Sequence, residues 1–183
     1  MEKKNTSALR IALIGPESTA KSTLSEKLAK HYHTLWVPEY SRIYLKELKR
    51  NYTLDDILLI AKEQFKQEEE LIKKANRFIF VDTELIVAKV WCEDVFKTCP
   101  EWISETLINH PYDFYLLTYP DLPWEEDPLR ENPHRRTFFY DWYERELKKM
   151  HAAYTVIKGS GEERLQNAVQ AIEEFSSHIK NNP

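Results

Sequence analysis

The sequence predicts a three-layer α/β domain around a five-stranded parallel sheet, and two observations carry that reading. Five short apolar runs, each the length of a buried strand, alternate with stretches of helical periodicity. The first run, Ile11 to Ile14, empties into the polar segment Gly15-Pro16-Glu17-Ser18-Thr19-Ala20-Lys21-Ser22, and a helical pattern leaves it. Such alternation calls for right-handed crossovers, which put helices on both faces of the sheet and ligands beyond the carboxyl ends of its strands.

In chain order the predicted strands cover 10–14, 35–38, 78–82, 114–118 and 154–158. After the first, Leu24, Leu28 and Tyr32 share one helical face. Ile57, Ala61, Phe65, Leu71 and Ile72 mark a longer helix, and further helices are expected over 85–95, 102–110, 136–150 and 162–179. The last carries Leu165, Ala168, Val169, Ile172, Phe175 and Ile179 at helical intervals. Phe138, Phe139, Trp142, Tyr143, Leu147 and Met150 read as a buried helix face, and Glu68-Glu69-Glu70 as a solvated run. Prolines at 120, 123, 128 and 133 break any regular pattern, so residues 119–136 are expected to form a lid or a rigid surface excursion.

With 183 residues, 42% of them hydrophobic, the chain is expected to be a single domain with a substantial core. A net charge of −4 argues against general affinity for a nucleic-acid backbone. The N-terminal apolar run is too short for a signal-peptide core or a membrane span. The expected partner is therefore a small molecule, without nucleic acid or membrane, and the expected location cytoplasmic. Cys92 and Cys99 read as ordinary thiols of a reducing compartment, and the six histidines lack zinc-site spacing.

The Gly15–Ser22 segment differs from a phosphate-binding P-loop at one position, where Ala20 stands in place of glycine. Gly15, Glu17, Ser18, Thr19, Ala20, Lys21, Ser22 and Thr23 are accordingly the candidate nucleotide-binding residues. Backbone amides would curl around a phosphate, Lys21 would reach the terminal phosphates, and Ser22 would offer its hydroxyl to Mg²⁺. A polar strand-to-helix turn is the plain alternative. The methyl of Ala20 crowds the phosphate if the local φ is positive and points away if it is negative.

Phosphoryl transfer also needs an activated acceptor and positive charge where negative charge accumulates. Asp82 ends an apolar strand, as a Walker B aspartate acting on Mg²⁺ or an acceptor hydroxyl would, or as a helix cap would. Val37-Pro38-Glu39-Tyr40-Ser41-Arg42 closes the second strand with an acid, an aromatic and a base, which suits an acceptor pocket. Glu39 is the general-base candidate, and a Glu39–Arg42 surface salt bridge is the alternative. Arg130, Arg135 and Arg136 follow the acidic, proline-rich segment, as phosphate-covering lid arginines or as partners of its acids. Gly159-Ser160-Gly161 follows the fifth strand, either to contact adenine or as a turn.

Together, GPESTAKST, PEYSR, FVDTE and DLPWEEDPLR resemble the ribosylnicotinamide kinase domain of NadR-type NAD-salvage proteins, over nearly the whole chain. That resemblance implies a P-loop nucleoside-kinase-like fold and transfer of the ATP γ-phosphate to the 5′-hydroxyl of nicotinamide riboside. It implies catalytic roles for Lys21, Glu39, Asp82 and Arg130, substrate contacts from Glu39, Tyr40, Arg42, Asp82 and Trp124, and Mg²⁺ held by Ser22 and Asp82. Arg135 and Gly159 join the nucleotide set. Trp36, Tyr40 or Trp124 would stack on a cationic pyridinium. Family members often carry an adenylyltransferase domain ahead of the kinase; here the P-loop lies close to the first residue, and no such domain is expected. The alternatives are an ATP-binding sensor without an acceptor and a kinase for another nucleoside-like metabolite.

Overall fold

The computed structural model describes residues 8–181. All five expected strands form: β1 (Leu9–Ile14), β2 (Leu35–Val37), β3 (Phe78–Asp82), β4 (Phe114–Thr118) and β5 (Tyr154–Ile157). They pair in parallel in the order β2-β3-β1-β4-β5. Alternation along each strand divides the core in two. Ile11, Leu13, Phe78, Phe80, Phe114 and Leu116 face α1 (Lys21–His31), while Ala12, Ile14, Ile79, Val81, Tyr115 and Leu117 join the cluster on the opposite face. Each fully buried Leu, Ile or Phe is worth about 1.5–3 kcal/mol over leaving it in water, and this double core holds the sheet between two helical layers.

The remaining helices are α2 (Tyr40–Glu47), α3 (Leu54–Leu71), α4 (Leu85–Phe96), α5 (Glu101–Asn109), α6 (Arg136–Lys149) and α7 (Gly161–Asn181), with a short 3-10 turn at Ile72–Lys74. Local chemistry explains their ends. Thr53 and Asp56 make a reciprocal capping box at the start of α3, and Glu84 caps α4 by accepting from the Ile86 N–H at 2.9 Å. Residues 119–135 have no helix or strand, in agreement with the expected irregular segment. No described helix is long and apolar enough to cross a membrane.

Three expectations need correction. The PEYSR segment does not close a strand: β2 ends at Val37, Glu39 is a helix N-cap, and α2 follows. The run at 68–70 is not uniformly solvated, because Glu68 is fully buried, takes a hydrogen bond from the Tyr112 hydroxyl and faces Arg10 at 3.3 Å. The α6 aromatics also divide: Phe139 and Tyr143 are buried, whereas Phe138 is exposed.

Candidate active site

The strand order places β1 at the centre, so the loop after it lies where the crossovers diverge to opposite sides of the sheet. Gly15 begins this loop at φ +147°, and a Cβ there would come within 2.2 Å of the Thr118 hydroxyl oxygen. Only glycine fits. The Thr19 hydroxyl donates to the Pro16 carbonyl at 2.8 Å and lies 2.7 Å from that of Thr118, which also contacts the Ile14 carbonyl at 3.1 Å. Ala20, at φ 60° and ψ 29°, holds the left-handed conformation that the missing glycine would adopt freely.

Lys21 folds its ammonium onto the Pro16 carbonyl at 2.8 Å. Burial pulls its pKa down, against the attraction of Glu39, Asp82 and Glu17. Asp82, at the end of β3, is buried and accepts from the Ser22 hydroxyl. Its pKa is raised, first by burial and then by the neighbouring Glu39 carboxylate. Two carboxylates, a hydroxyl and an ammonium thus converge at the tips of β1, β2 and β3.

Residues 119–135 cover this cluster. Glu17 accepts from the Glu131 and Asn132 N–H groups at 3.1 and 2.9 Å, and the Ser18 hydroxyl accepts from the Glu125 N–H at 2.9 Å. Arg130 donates to the Glu125 carbonyl at 2.6 Å and lies 3.5 Å from the Ser18 hydroxyl. Arg42 pairs with Asp127 of this segment, not with Glu39, whose carboxylate instead accepts from Ser41 at 2.6 Å. Arg136 donates to the Leu122 carbonyl at 2.8 Å.

Beneath the covering sits a cavity of about 930 Å³. Gly15 to Thr23, Glu39, Arg42, Arg130 and Arg135 line it; Tyr40, Asp82, Trp124 and Gly159 do not. Asp82 reaches it through Ser22. The guanidinium of Arg135 is engaged by both oxygens of Asp94, at 2.6 and 2.9 Å. Trp36 packs in the core, so none of the three expected stacking residues is in the lining.

Sequence reasoning missed the other end of the cavity, an aromatic lobe of Tyr52, Trp91, Phe96, Phe139 and Tyr143. Tyr52 meets Trp91 edge to face at 5.0 Å. The spacing of these residues follows core periodicity and carries no separate signal. Arg164 was missed as well. It is almost fully buried, pairs with Asp121, and donates to the carbonyls of Gly159 at 2.8 Å, Tyr119 and Ile157 at 3.3 Å and Thr19 at 3.4 Å. Asp121 in turn accepts from the Gly159 N–H at 2.8 Å. One guanidinium therefore ties the phosphate-type loop to the ends of β4 and β5.

Residues 10–164 match the AAA domain family. The chain belongs to that family. Among curated proteins, this AAA domain is similar to the trifunctional NAD biosynthesis/regulator protein NadR of Salmonella typhimurium and of Escherichia coli, each 27% identical over 126 residues. The match covers 66% of this chain and 30% of either relative, so the domain spans under a third of their length. The NadR resemblance read from the motifs is thereby borne out. Two solved NadR structures, one in complex with NR and one with NAD and AMP-PNP, superpose on the domain with TM-scores of 0.76 and 0.72. They are 19% and 20% identical to it, covering 92% and 93% of this chain and 51% and 50% of theirs. Thymidylate kinase from Ehrlichia chaffeensis has a TM-score of 0.58 at 14% identity, covering 91% of this chain and 97% of its own. The AAA domain has the three-layer P-loop kinase fold.

Proposed function

We propose that this domain transfers the γ-phosphate of ATP to the 5′-hydroxyl of nicotinamide riboside, giving nicotinamide mononucleotide. The observation that carries the reading is one cavity running from the Gly15–Thr23 loop past Glu39 into an aromatic lobe. A donor and an acceptor can meet there.

The residues fit the triphosphate. The loop backbone is held open by Gly15, and Lys21 rests on a carbonyl oxygen, a stand-in for a phosphate oxygen. Ser22 and Asp82 present the hard oxygen donors that Mg²⁺ prefers, already hydrogen-bonded to each other. When bound there, Mg²⁺ would neutralise phosphate charge. Lys21 and Arg130 would counter the charge that builds on the transferred group, and Arg135 would complete the nucleotide site. Glu39, beside the acceptor, would orient the 5′-hydroxyl and take its proton. Arg42, which lines the cavity, joins the proposed substrate set.

The aromatic lobe favours a pyridinium nucleoside. Tyr52, Trp91 and Phe96 put aromatic side chains, the partners a cation prefers, in the lining, and Glu131 adds negative charge at the wall. The NadR complexes with NR and with AMP-PNP support both halves of the assignment. Coupled ADP release, measured with nicotinamide riboside, with uncharged nucleosides and with no acceptor, tests it. Strong dependence on nicotinamide riboside is expected. Equal slow turnover in all three would instead favour an ATP sensor, and preference for an uncharged nucleoside would move the acceptor assignment.

A further inference from the structure

Two of the carboxylates that act on Lys21, Glu39 and Asp82, reach the site from neighbouring strands, Val37 of β2 pairing with Val81 of β3. Glu39 lies two residues beyond its strand and Asp82 is the last residue of its own, so something must hold the two chain exits together. The sheet does not, because its ladder stops at that pair. Nor does Glu39 cap the helix it opens: its side chain makes no capping bond and instead accepts from Ser41. The Tyr40 N–H, at the first position of α2, is one of the donors that helix formation leaves without an intrahelical acceptor.

Gln64, from the middle of α3, supplies that acceptor. Its side-chain oxygen takes the Tyr40 N–H at 2.8 Å, while its nitrogen donates to the carbonyls of Asp82 at 3.3 Å and Thr83 at 3.2 Å. Gln64 is buried, and Thr83 sits at φ 68°, a conformation strained for a branched residue that needs outside support. An amide presents one acceptor and two donors, which matches these three groups. Aspartate or asparagine would be too short, leucine would leave three backbone groups without partners, and a glutamate anion would face two carbonyl oxygens.

We propose that Gln64 is a positioning residue for phosphoryl transfer, its buried amide bridging the start of α2 to the end of β3 and so fixing Glu39 relative to Asp82. The inference rests on the kinase reading given above. Gln64 is absent from the cavity wall and touches neither substrate; it acts through the backbone on either side of the two acids. Misplacing a reacting group by about 1 Å can cost 100-fold in rate, so loss of the bridge acts on turnover more than on nucleotide binding.

The test uses the full chain, with Gln64→Leu and Gln64→Glu, assayed for ADP formation with nicotinamide riboside and for AMP-PNP binding by calorimetry. Gln64→Leu is expected to lower kcat at least tenfold and to leave AMP-PNP affinity within threefold of wild type. In Gln64→Glu the bridge survives only when the carboxyl is protonated, accepting from Tyr40 while donating to Asp82 or Thr83. The carboxyls of Glu39, Asp82 and, one turn along α3, Glu68 are present in both proteins, so the ratio of variant to wild-type kcat is the quantity read. That ratio is expected to rise at least fivefold from pH 8 to pH 6. A kcat within twofold of wild type for Gln64→Leu, AMP-PNP binding lost in step with kcat, or a flat ratio would each overturn the proposal. Should wild-type protein show no acceptor-dependent ADP formation, the kinase reading falls separately. The bridge is then read by hydrogen exchange at the Tyr40 amide, where protection lost in Gln64→Leu upholds it and unchanged protection overturns it.

Discussion

Ala20 shows how a single methyl group acts through the backbone. At φ 60° an alanine costs roughly 1 kcal/mol more than glycine, and its side chain offers no cap to α1. Ala20→Gly should stabilise the protein by about 1 kcal/mol, raising Tm by about 2–4 °C, and should tighten AMP-PNP binding. An unchanged melting temperature and affinity would contradict that account. Gly15 is the opposite case, since any Cβ meets Thr118; calorimetry on Gly15→Ala should show AMP-PNP affinity reduced at least tenfold. A third residue governs pH response. Burial raises Glu84 to about 8, and only one of its oxygens has a hydrogen-bond partner; Glu68 is raised to about 7, also by burial. Tyr112 and Tyr115 face the pair. Both carboxyls hold protons in the folded protein that the unfolded chain has released, so folding stability falls as pH rises from about 5 to 8. Glu84→Gln keeps the cap and should flatten that fall in thermal melts. A slope as steep as that of wild type would count against burial as its cause.

At the scale of elements, two of the ion pairs that anchor the covering segment differ sharply in weight. Arg42–Asp127 is partly exposed, so Asp127→Ala should change global stability by less than about 1 kcal/mol in urea titration. Arg164–Asp121 is buried on the arginine side and surrounded by four carbonyls that would lose their donor. Arg164→Met should therefore cost about 3–5 kcal/mol, and similar losses in the two variants would refute the assigned difference. Elements also differed in legibility. The inner strands β1, β3 and β4 were readable because parallel strands buried on both faces are near-continuous apolar runs, and the P-loop was readable because its residue types are dictated by phosphate. Helix α2 was not: it is eight residues long, opens after Pro38 and buries only Ser41, so its apolar side chains mark no core face. Its starting donor is capped from α3, by a residue twenty-four positions away.

Across the whole molecule, the parts hidden from the sequence are those made by convergence. Tyr52, Trp91, Phe139 and Tyr143 come from the segment before α3, from α4 and from α6, and each alone is indistinguishable from a core aromatic. Glu39, Lys21 and Ser22, by contrast, follow strand ends, and the parallel sheet brings strand ends together by construction. The account depends on donor and acceptor sharing that space. Incubating the protein with Mg²⁺, γ-labelled ATP and nicotinamide riboside, and following the label by mass spectrometry, tests it most directly. Label carried into nicotinamide mononucleotide, and lost in Lys21→Ala with the fold intact, is the predicted result; label recovered only as inorganic phosphate, at the same rate with or without the riboside, would contradict it.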